Sequence, residues 1–217
     1  SSEGQLNSFI GSGTGASTVG TRNAFFGNNA GAQSKGNLNV AGGNLALAGA
    51  QGNNNVGQGT GAGAVVVGDN NVAIGYRAGT QTPLEANGDV DPSKIVPSTY
   101  SNAVNIGYET QALANNAVAI GKGATASAVD ALALGRDSLA AAIGASAFGQ
   151  GAQAKALRAT ALGFSSEALA ADSIAIGDAT ATSTRAIAMG VGARGGTALN
   201  TGVNTVAIGN NAYARNT

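Results

Sequence analysis

The chain has 217 residues, 11 basic and 11 acidic side chains, 35 glycines, and no cysteine, histidine or tryptophan. Thiol catalysis, Cys/His zinc sites and a histidine general base are excluded because their residues are absent, and the balanced charge lacks the basic surface of a nucleic-acid-binding protein. We therefore expect a non-enzymatic protein with no catalytic residues, no cofactor, no metal and no nucleic-acid partner. The sequence also has no apolar run long enough to span a membrane as a helix and no signal peptide, so this segment is not expected to contact a membrane.

Residues 1–64 are rich in glycine and show a weak form of a pattern that becomes regular further along the chain. Three segments, 8–11, 23–27 and 44–47, are interpreted as degenerate turns of a repeat. The sequence at 57–62 fits the G-x-G-x-x-A spelling of a dinucleotide loop. No amphipathic helix follows it and the surrounding sequence is glycine-rich, so we attribute this match to chance.

From residue 65 the pattern is clear, but an insertion at 80–101 interrupts it. All three prolines of the chain lie in this insertion: Pro83, Pro92 and Pro97. Because proline cannot donate to an interior strand ladder, we predict a loop that leaves the repeat structure. This loop is a candidate contact site, with a passive insertion or packing between subunits as the alternatives. Residues 87–91 imitate the start of a calcium loop, but Pro92 replaces the glycine that such a loop requires.

The strongest signal is an internal repeat of 14 residues in the second half of the chain. It is marked by evenly spaced glycines: Gly107, Gly121, Gly135, Gly149, Gly163 and Gly177. When each glycine is counted as position zero, positions 5, 7 and 12 are alanine in every interval, and positions 3 and 10 are small. Position 13 is always large and apolar. The next two glycine intervals depart from this period, since 177–190 is one residue short and 190–209 is five residues long.

The small residues within each repeat alternate with a period of two, which indicates β-strands rather than helix. Each repeat is predicted to contain two short strands joined by turns, with the small residues inside and the glycine at a corner where a positive φ is needed. Stacked repeats then form an all-β parallel solenoid, or β-roll, of about 14 residues per turn. Its two sheets are expected to lie unusually close together because the inward positions are so small.

The second strand of each repeat predicts an apolar outer surface, because residues at positions 11 and 13 must point away from the inward alanines. Monomers rarely expose so large an apolar surface, so we predict that it packs against copies of the same chain around a cyclic axis. The alternative is an inverted arrangement, with the large residues in the core and the alanines outside. The predicted interface residues are Val72, Ile74, Val104, Ile106, Val118, Ile120, Leu132, Leu134, Phe148, Leu162, Ile174, Ile176, Ile187, Met189, Val206 and Ile208.

The same strands carry a family resemblance. They read NNVAIG at 70–75, NAVNIG at 102–107, NAVAIG at 116–121, DSIAIG at 172–177 and NTVAIG at 204–209, each with a small residue three positions after the glycine. This pattern resembles the repeat of the YadA-like head domain of trimeric autotransporter adhesins. The resemblance is specific over 65–217 and looser over 1–64, and it implies that residues 1–217 form a single head domain.

The resemblance implies a left-handed β-roll, assembled as an intertwined or side-by-side homotrimer. It further implies an adhesin on the bacterial cell surface, at the outer membrane and exposed to the exterior, that binds host extracellular matrix proteins or cell-surface receptors in virulence. No stalk or membrane anchor is recognised, so we expect a fragment of a longer protein, and the ligand-binding residues are not predicted. The alternative functions are a passive spacer in a surface fibre and an ice-binding β-solenoid. A left-handed-helix acyltransferase is disfavoured, because its six-residue period does not divide 14 and it generally needs a histidine.

Overall fold

The structure is a computed structural model that describes residues 6–80, 98–196 and 204–215. These residues form short strands joined by turns, and every strand pair within the two units described below is parallel. This confirms the predicted all-β parallel solenoid. Within the described ranges there is no helix long and apolar enough to cross a membrane. The chain divides into two compact units, Ser1–Asn116 and Ala117–Thr217.

The first unit contains one sheet of three-residue strands, which we call its long-strand sheet, in the order β1-β2-β3-β4-β6-β8. Strands β5 and β7 pair on their own, and single bridges join residues 19, 35, 51 and 67 into a second layer. The strands are β1 (Ser8–Ile10), β2 (Ala24–Phe26), β3 (Val40–Gly42), β4 (Val56–Gln58), β5 (Val66–Val67), β6 (Val72–Ile74), β7 (Ser98–Thr99), β8 (Val104–Ile106) and β9 (Gln111–Ala112).

The second unit contains a long-strand sheet in the order β10-β12-β14-β16-β18-β20-β22 and a short-strand sheet of two-residue strands in the order β11-β13-β15-β17-β19-β21-β23. The chain alternates between the two sheets, as the two strands per repeat predict. The strands are β10 (Val118–Ile120), β11 (Thr125–Ala126), β12 (Leu132–Leu134), β13 (Leu139–Ala140), β14 (Ser146–Phe148), β15 (Gln153–Ala154), β16 (Thr160–Leu162), β17 (Glu167–Ala168), β18 (Ile174–Ile176), β19 (Thr180–Ala181), β20 (Ile187–Met189), β21 (Arg194–Gly195), β22 (Val206–Ile208) and β23 (Tyr213–Ala214).

The alanines of the second unit lie inside, as the sequence predicts. Ala119, Ala126, Ala133 and Ala140 are all completely buried, whereas the large apolar residues beside them on the strands are half-buried or exposed. The inverted arrangement is therefore wrong. Alanine suits this interior because the two sheets belong to the same narrow turn and leave no room for a longer side chain.

The corner glycines have the positive φ that the sequence predicts. Gly135, with a φ of 135°, is representative, because a Cβ on it would lie 2.5 Å from the carbonyl oxygen of Gly149 in the next turn. Turns stack backbone on backbone at this corner. A side chain there would clash as well as strain the backbone.

The turns of the first unit are 16 residues long, not 14. Strands β1, β2, β3, β4 and β6 begin 16 residues apart and pair in that register. Two of the segments interpreted as degenerate turns, 8–11 and 23–27, contain strands β1 and β2, whereas 44–47 lies in the turn after β3. Residues 6–80 thus follow a regular repeat of a different length.

A ladder of buried asparagines marks the longer repeat. The backbone N–H of Asn39 donates to Oδ1 of Asn23 at 3.0 Å, and Asn55 and Asn71 repeat the same bond one turn further on at 2.9 and 3.0 Å. The side-chain amide of Asn39 donates in turn to the carbonyl of Gly52 at 2.9 Å. Each asparagine occupies the position that is alanine or serine in the 14-residue turns, so a satisfied polar ladder replaces small-residue packing there.

The wider turns also admit large side chains to the core, which the sequence analysis did not expect. Phe25 is completely buried and stacks on Phe9 at 5.2 Å between ring centroids, and Leu47 is 2% exposed. Glycine makes the room, since a Cβ on Gly31 would lie 2.1 Å from the Phe25 ring and one on Gly57 would lie 2.8 Å from Leu47. The expectation that all inward positions are small therefore holds for the 14-residue turns and is wrong for the 16-residue turns.

Replacing Gly31 with alanine should destabilise the fold more than the same change at Gly144. Both glycines have a φ close to +64°, but a Cβ at Gly144 meets Cγ of Arg158 at an ordinary 3.5 Å. Both variants carry the left-handed strain of about 1–2 kcal/mol. Only Gly31→Ala adds the overpacking against Phe25, about 1–3 kcal/mol more. Urea unfolding of the two variants measures the difference, and equal midpoints would contradict this account of the core.

The irregular repeats are absorbed in the turns, so the strand register is kept. In the short interval the missing residue is taken from the corner after Gly177, whose φ falls to 86°, while Ile174 still pairs with Ile187. In the long interval the extra residues lie between β21 and β22, where residues 197–203 are outside the described part of the chain.

The predicted insertion at 80–101 is narrower than expected. Thr80 is buried and donates to the carbonyl of Gly61 at 2.5 Å, and Ser98–Thr99 forms β7 against β5. Tyr100 is 1% exposed and donates its hydroxyl to the carbonyl of Gly79 at 2.8 Å, and burial raises its pKa. Both flanks thus belong to the solenoid. Residues 81–97, with all three prolines, lie outside the described residues, so the predicted loop remains a prediction.

Candidate functional site

The large outward residues of the long-strand sheet form two parallel columns in the second unit. The strands pair in register, so each residue at position 11 or 13 lies beside its equivalent in the next turn. The position-13 column is apolar throughout: Ile120, Leu134, Phe148, Leu162, Ile176, Met189 and Ile208. The position-11 column contains Val118, Leu132, Ile174, Ile187 and Val206 but is interrupted by Ser146 and Thr160. We call these two columns, with their equivalents in the first unit, the apolar ridge.

The apolar ridge of the second unit is accessible in the single chain. Leu134, Leu162 and Met189 are 40%, 46% and 38% exposed, and Ile208 is 63% exposed. Stacked neighbours cover one another along the column, which accounts for the half-buried state of Ile120 and Phe148. The structure therefore brings the predicted interface residues of this unit together on one surface of one sheet.

The first unit carries the same ridge, and it extends to residues that the sequence analysis did not include. Val72, Ile74, Val104 and Ile106 lie on β6 and β8 with their side chains outward, as predicted. The 16-residue register adds three exposed residues of the same sheet: Ile10, Phe26 and Val40. Their signal in the sequence was a spacing of 16, which a search at 14 does not detect.

A second apolar row lies at the corner that precedes each long strand. It is formed by position 8 of three consecutive turns, Val129, Ile143 and Leu157, which are 38%, 56% and 40% exposed. The sequence analysis missed it, although the recurrence of a large apolar residue at one repeat position was a usable signal. This row adjoins the long-strand sheet and therefore enlarges the apolar surface that the ridge presents.

Charged groups on this corner are paired at the surface. Arg158 donates from Nε and Nη2 to the two carboxylate oxygens of Asp172 at 2.6 and 3.0 Å. These hydrogen bonds lower the pKa of Asp172 and raise that of Arg158. Among residues 6–80, 98–196 and 204–215, no group of three or more acidic side chains could hold a metal ion.

The outward face of the short-strand sheet is mixed rather than repetitive. Its successive residues at one register position are Thr125, Leu139, Gln153, Glu167, Thr180, Arg194 and Tyr213. An ice-binding solenoid needs a flat array of one residue type, usually threonine, and this face does not provide it.

A family comparison agrees with this architecture. The family model described as the YadA head domain repeat (2 copies) matches residues 101–124, 126–152, 154–180 and 201–217. Residues 101–217 belong to the YadA head family. No curated protein matches the chain.

Membership of the YadA head family indicates an adhesin-type protein of the bacterial surface, because the family is one of adhesins and not of enzymes. The matched segments follow the 14-residue turns and contain the strands that carry the ridge from Val104 to Ile208. The family's characteristic repeat and the exposed apolar surface are thus features of the same strands.

Proposed function

We propose that this YadA-like head assembles as a homotrimer of left-handed rolls through the apolar ridge. Support comes from the exposure of Leu134, Leu162 and Ile208 in the single chain, since monomers rarely leave so continuous an apolar surface in water. A cyclic assembly buries the same ridge from every copy at its axis and leaves the short-strand sheets outside. The corner row of Val129, Ile143 and Leu157 then lies where neighbouring copies meet.

We further propose that residues 1–217 act as one head that is displayed at the outer membrane, where it binds host extracellular matrix proteins or cell-surface receptors and serves virulence. The observation that carries this proposal is the match of residues 101–217 to an adhesin head family. A rigid roll repeated around an axis presents every surface feature several times. Weak individual contacts can therefore add up to firm attachment.

Binding to host matrix is the direct test of this proposal. The assembled protein should bind immobilised collagen, fibronectin or laminin, or intact host cells, in a surface-binding assay. A ridge variant that is monomeric, with the outer surfaces unchanged, should bind at least about tenfold more weakly because multivalency is lost.

Two outcomes would contradict the adhesin proposal. An assembled protein that binds none of these surfaces would favour the passive spacer of a surface fibre. A measurable thermal hysteresis in ice-growth assays would favour the ice-binding solenoid, although the mixed face from Thr125 to Glu167 argues against that function.

A further inference from the structure

The end of the short-strand sheet in the second unit carries an exposed patch formed by Arg194, Tyr213 and Arg215, which we call the arginine–tyrosine patch. Arg194 and Tyr213 are register partners on adjacent parallel strands, so both side chains leave the same face of the sheet. Arg215 follows two residues after Tyr213, and its guanidinium carbon lies 5.0 Å from the centre of the tyrosine ring. This is the geometry of a cation–π contact. All three residues are exposed, and Tyr213 is 47% exposed.

The surroundings of the patch leave its positive charge uncompensated. The next strand, β19, contributes the neutral Thr180 to this face. The nearest carboxylate in the strands of this sheet, within the described residues, is Glu167 on β17, two strands from Arg194. Neither Arg194 nor Arg215 forms an ion pair in the described part of the chain, whereas Arg158 has its own carboxylate in Asp172.

This chemistry fits an anionic polymer. A guanidinium presents paired N–H donors that match the oxygens of a sulfate or carboxylate group. Arg194 and Arg215 lie on either side of Tyr213, one on the neighbouring strand and one on the same chain segment, so two anionic groups of one extended molecule can be held at once. The flat sheet imposes no pocket, which suits a linear chain better than a compact ligand.

We propose that the arginine–tyrosine patch binds a linear sulfated polysaccharide. This inference rests on the proposed function, because in a trimer joined at the ridge the short-strand sheet faces outward and the patch is displayed three times. Nucleic acid is the less suitable polyanion for two reasons. The chain has no net positive charge to supply the long-range attraction on which nucleic-acid binding depends, and Arg215 already covers one face of the ring that would stack on a base.

The test measures binding of the assembled protein to immobilised heparin at several salt concentrations. The wild type should bind with an affinity that falls as salt rises, and Arg194→Gln with Arg215→Gln should weaken binding more than about tenfold, since two charge-assisted contacts are lost. The matched control is Lys35→Gln with Lys155→Gln, which removes the same charge from two other exposed positions and should stay within about twofold of wild type. Circular dichroism confirms that all three proteins are folded.

Further probes identify the ligand class. Fully desulfated heparin and a DNA duplex of similar length should both bind much more weakly than heparin. Equal binding of DNA, or an equal loss in the control variant, would overturn the proposal by showing a general attraction to polyanions. A double variant that binds heparin as well as wild type would overturn the assignment of the patch.

The patch and the adhesin function fail in different ways. If the wild type binds host cells and removal of their sulfated glycans has no effect, the patch proposal is wrong and the adhesin function stands. If the wild type binds heparin through Arg194 and Arg215 but binds no host cell or matrix protein, the adhesin proposal is wrong and the patch stands.

Discussion

Replacing Ala126 with leucine should lower the melting temperature of the protein by roughly 6–12 °C. Ala126 is completely buried on β11, between two sheets whose facing side chains are themselves alanines. Extra methylenes in a well-packed core cost about 1–3 kcal/mol, and we expect the upper end because the narrow turn cannot widen without displacing the turns stacked on both sides. A loss of about 3 kcal/mol in a domain of this size corresponds to the stated shift.

The matched control is Thr125→Leu on the adjacent, outward position of the same strand. Its register partner in the next turn is already a leucine, Leu139, so the outer face accommodates this side chain. The control should change stability by less than about 0.5 kcal/mol. Thermal unfolding followed by circular dichroism compares the two variants, and equal melting temperatures would contradict the inward assignment of the alanines.

The sequence predicted the 14-residue turns in detail because each repeat position has one structural role. Glycine at the corner, alanine inside and a large apolar residue outside are each required by backbone geometry or by space, so the pattern recurs strictly from Gly107 to Gly177. The first unit solves the same problem differently. Its inward position is held by Asn23, Asn39 and their equivalents, which resemble turn residues in the sequence, and the polar ladder is visible only once the strands are stacked.

The candidate site was predictable in part for the same reason. Ridge residues such as Ile120 and Leu134 follow from the alternation of inward and outward positions along a strand. The corner row of Val129, Ile143 and Leu157 does not, because turn residues have no fixed alternation. The arginine–tyrosine patch joins residues 19 positions apart in an irregular repeat, and its juxtaposition depends on a register that the sequence period does not give.

Replacing Ile120 and Leu134 with aspartate should abolish assembly. The two residues are register partners on β10 and β12, half-buried and 40% exposed in the single chain, so aspartate at both positions leaves the alanine interior of the roll intact. In the proposed trimer each copy would bring two carboxylates to the shared axis. Burial of each carboxylate without a partner costs several kcal/mol, and the like charges repel one another.

The matched control is Thr125→Asp with Leu139→Asp, which places two carboxylates on adjacent strands of the short-strand sheet instead. The wild type and this control should behave as trimers in light scattering coupled to size-exclusion chromatography. The ridge variant should instead give the mass of one chain, 20.8 kDa, or aggregate. A ridge variant that remains an intact soluble trimer would show that Ile120 and Leu134 do not face the axis. Loss of assembly in the control alone would place the interface on the opposite sheet, because only the face that copies share is sensitive to buried charge.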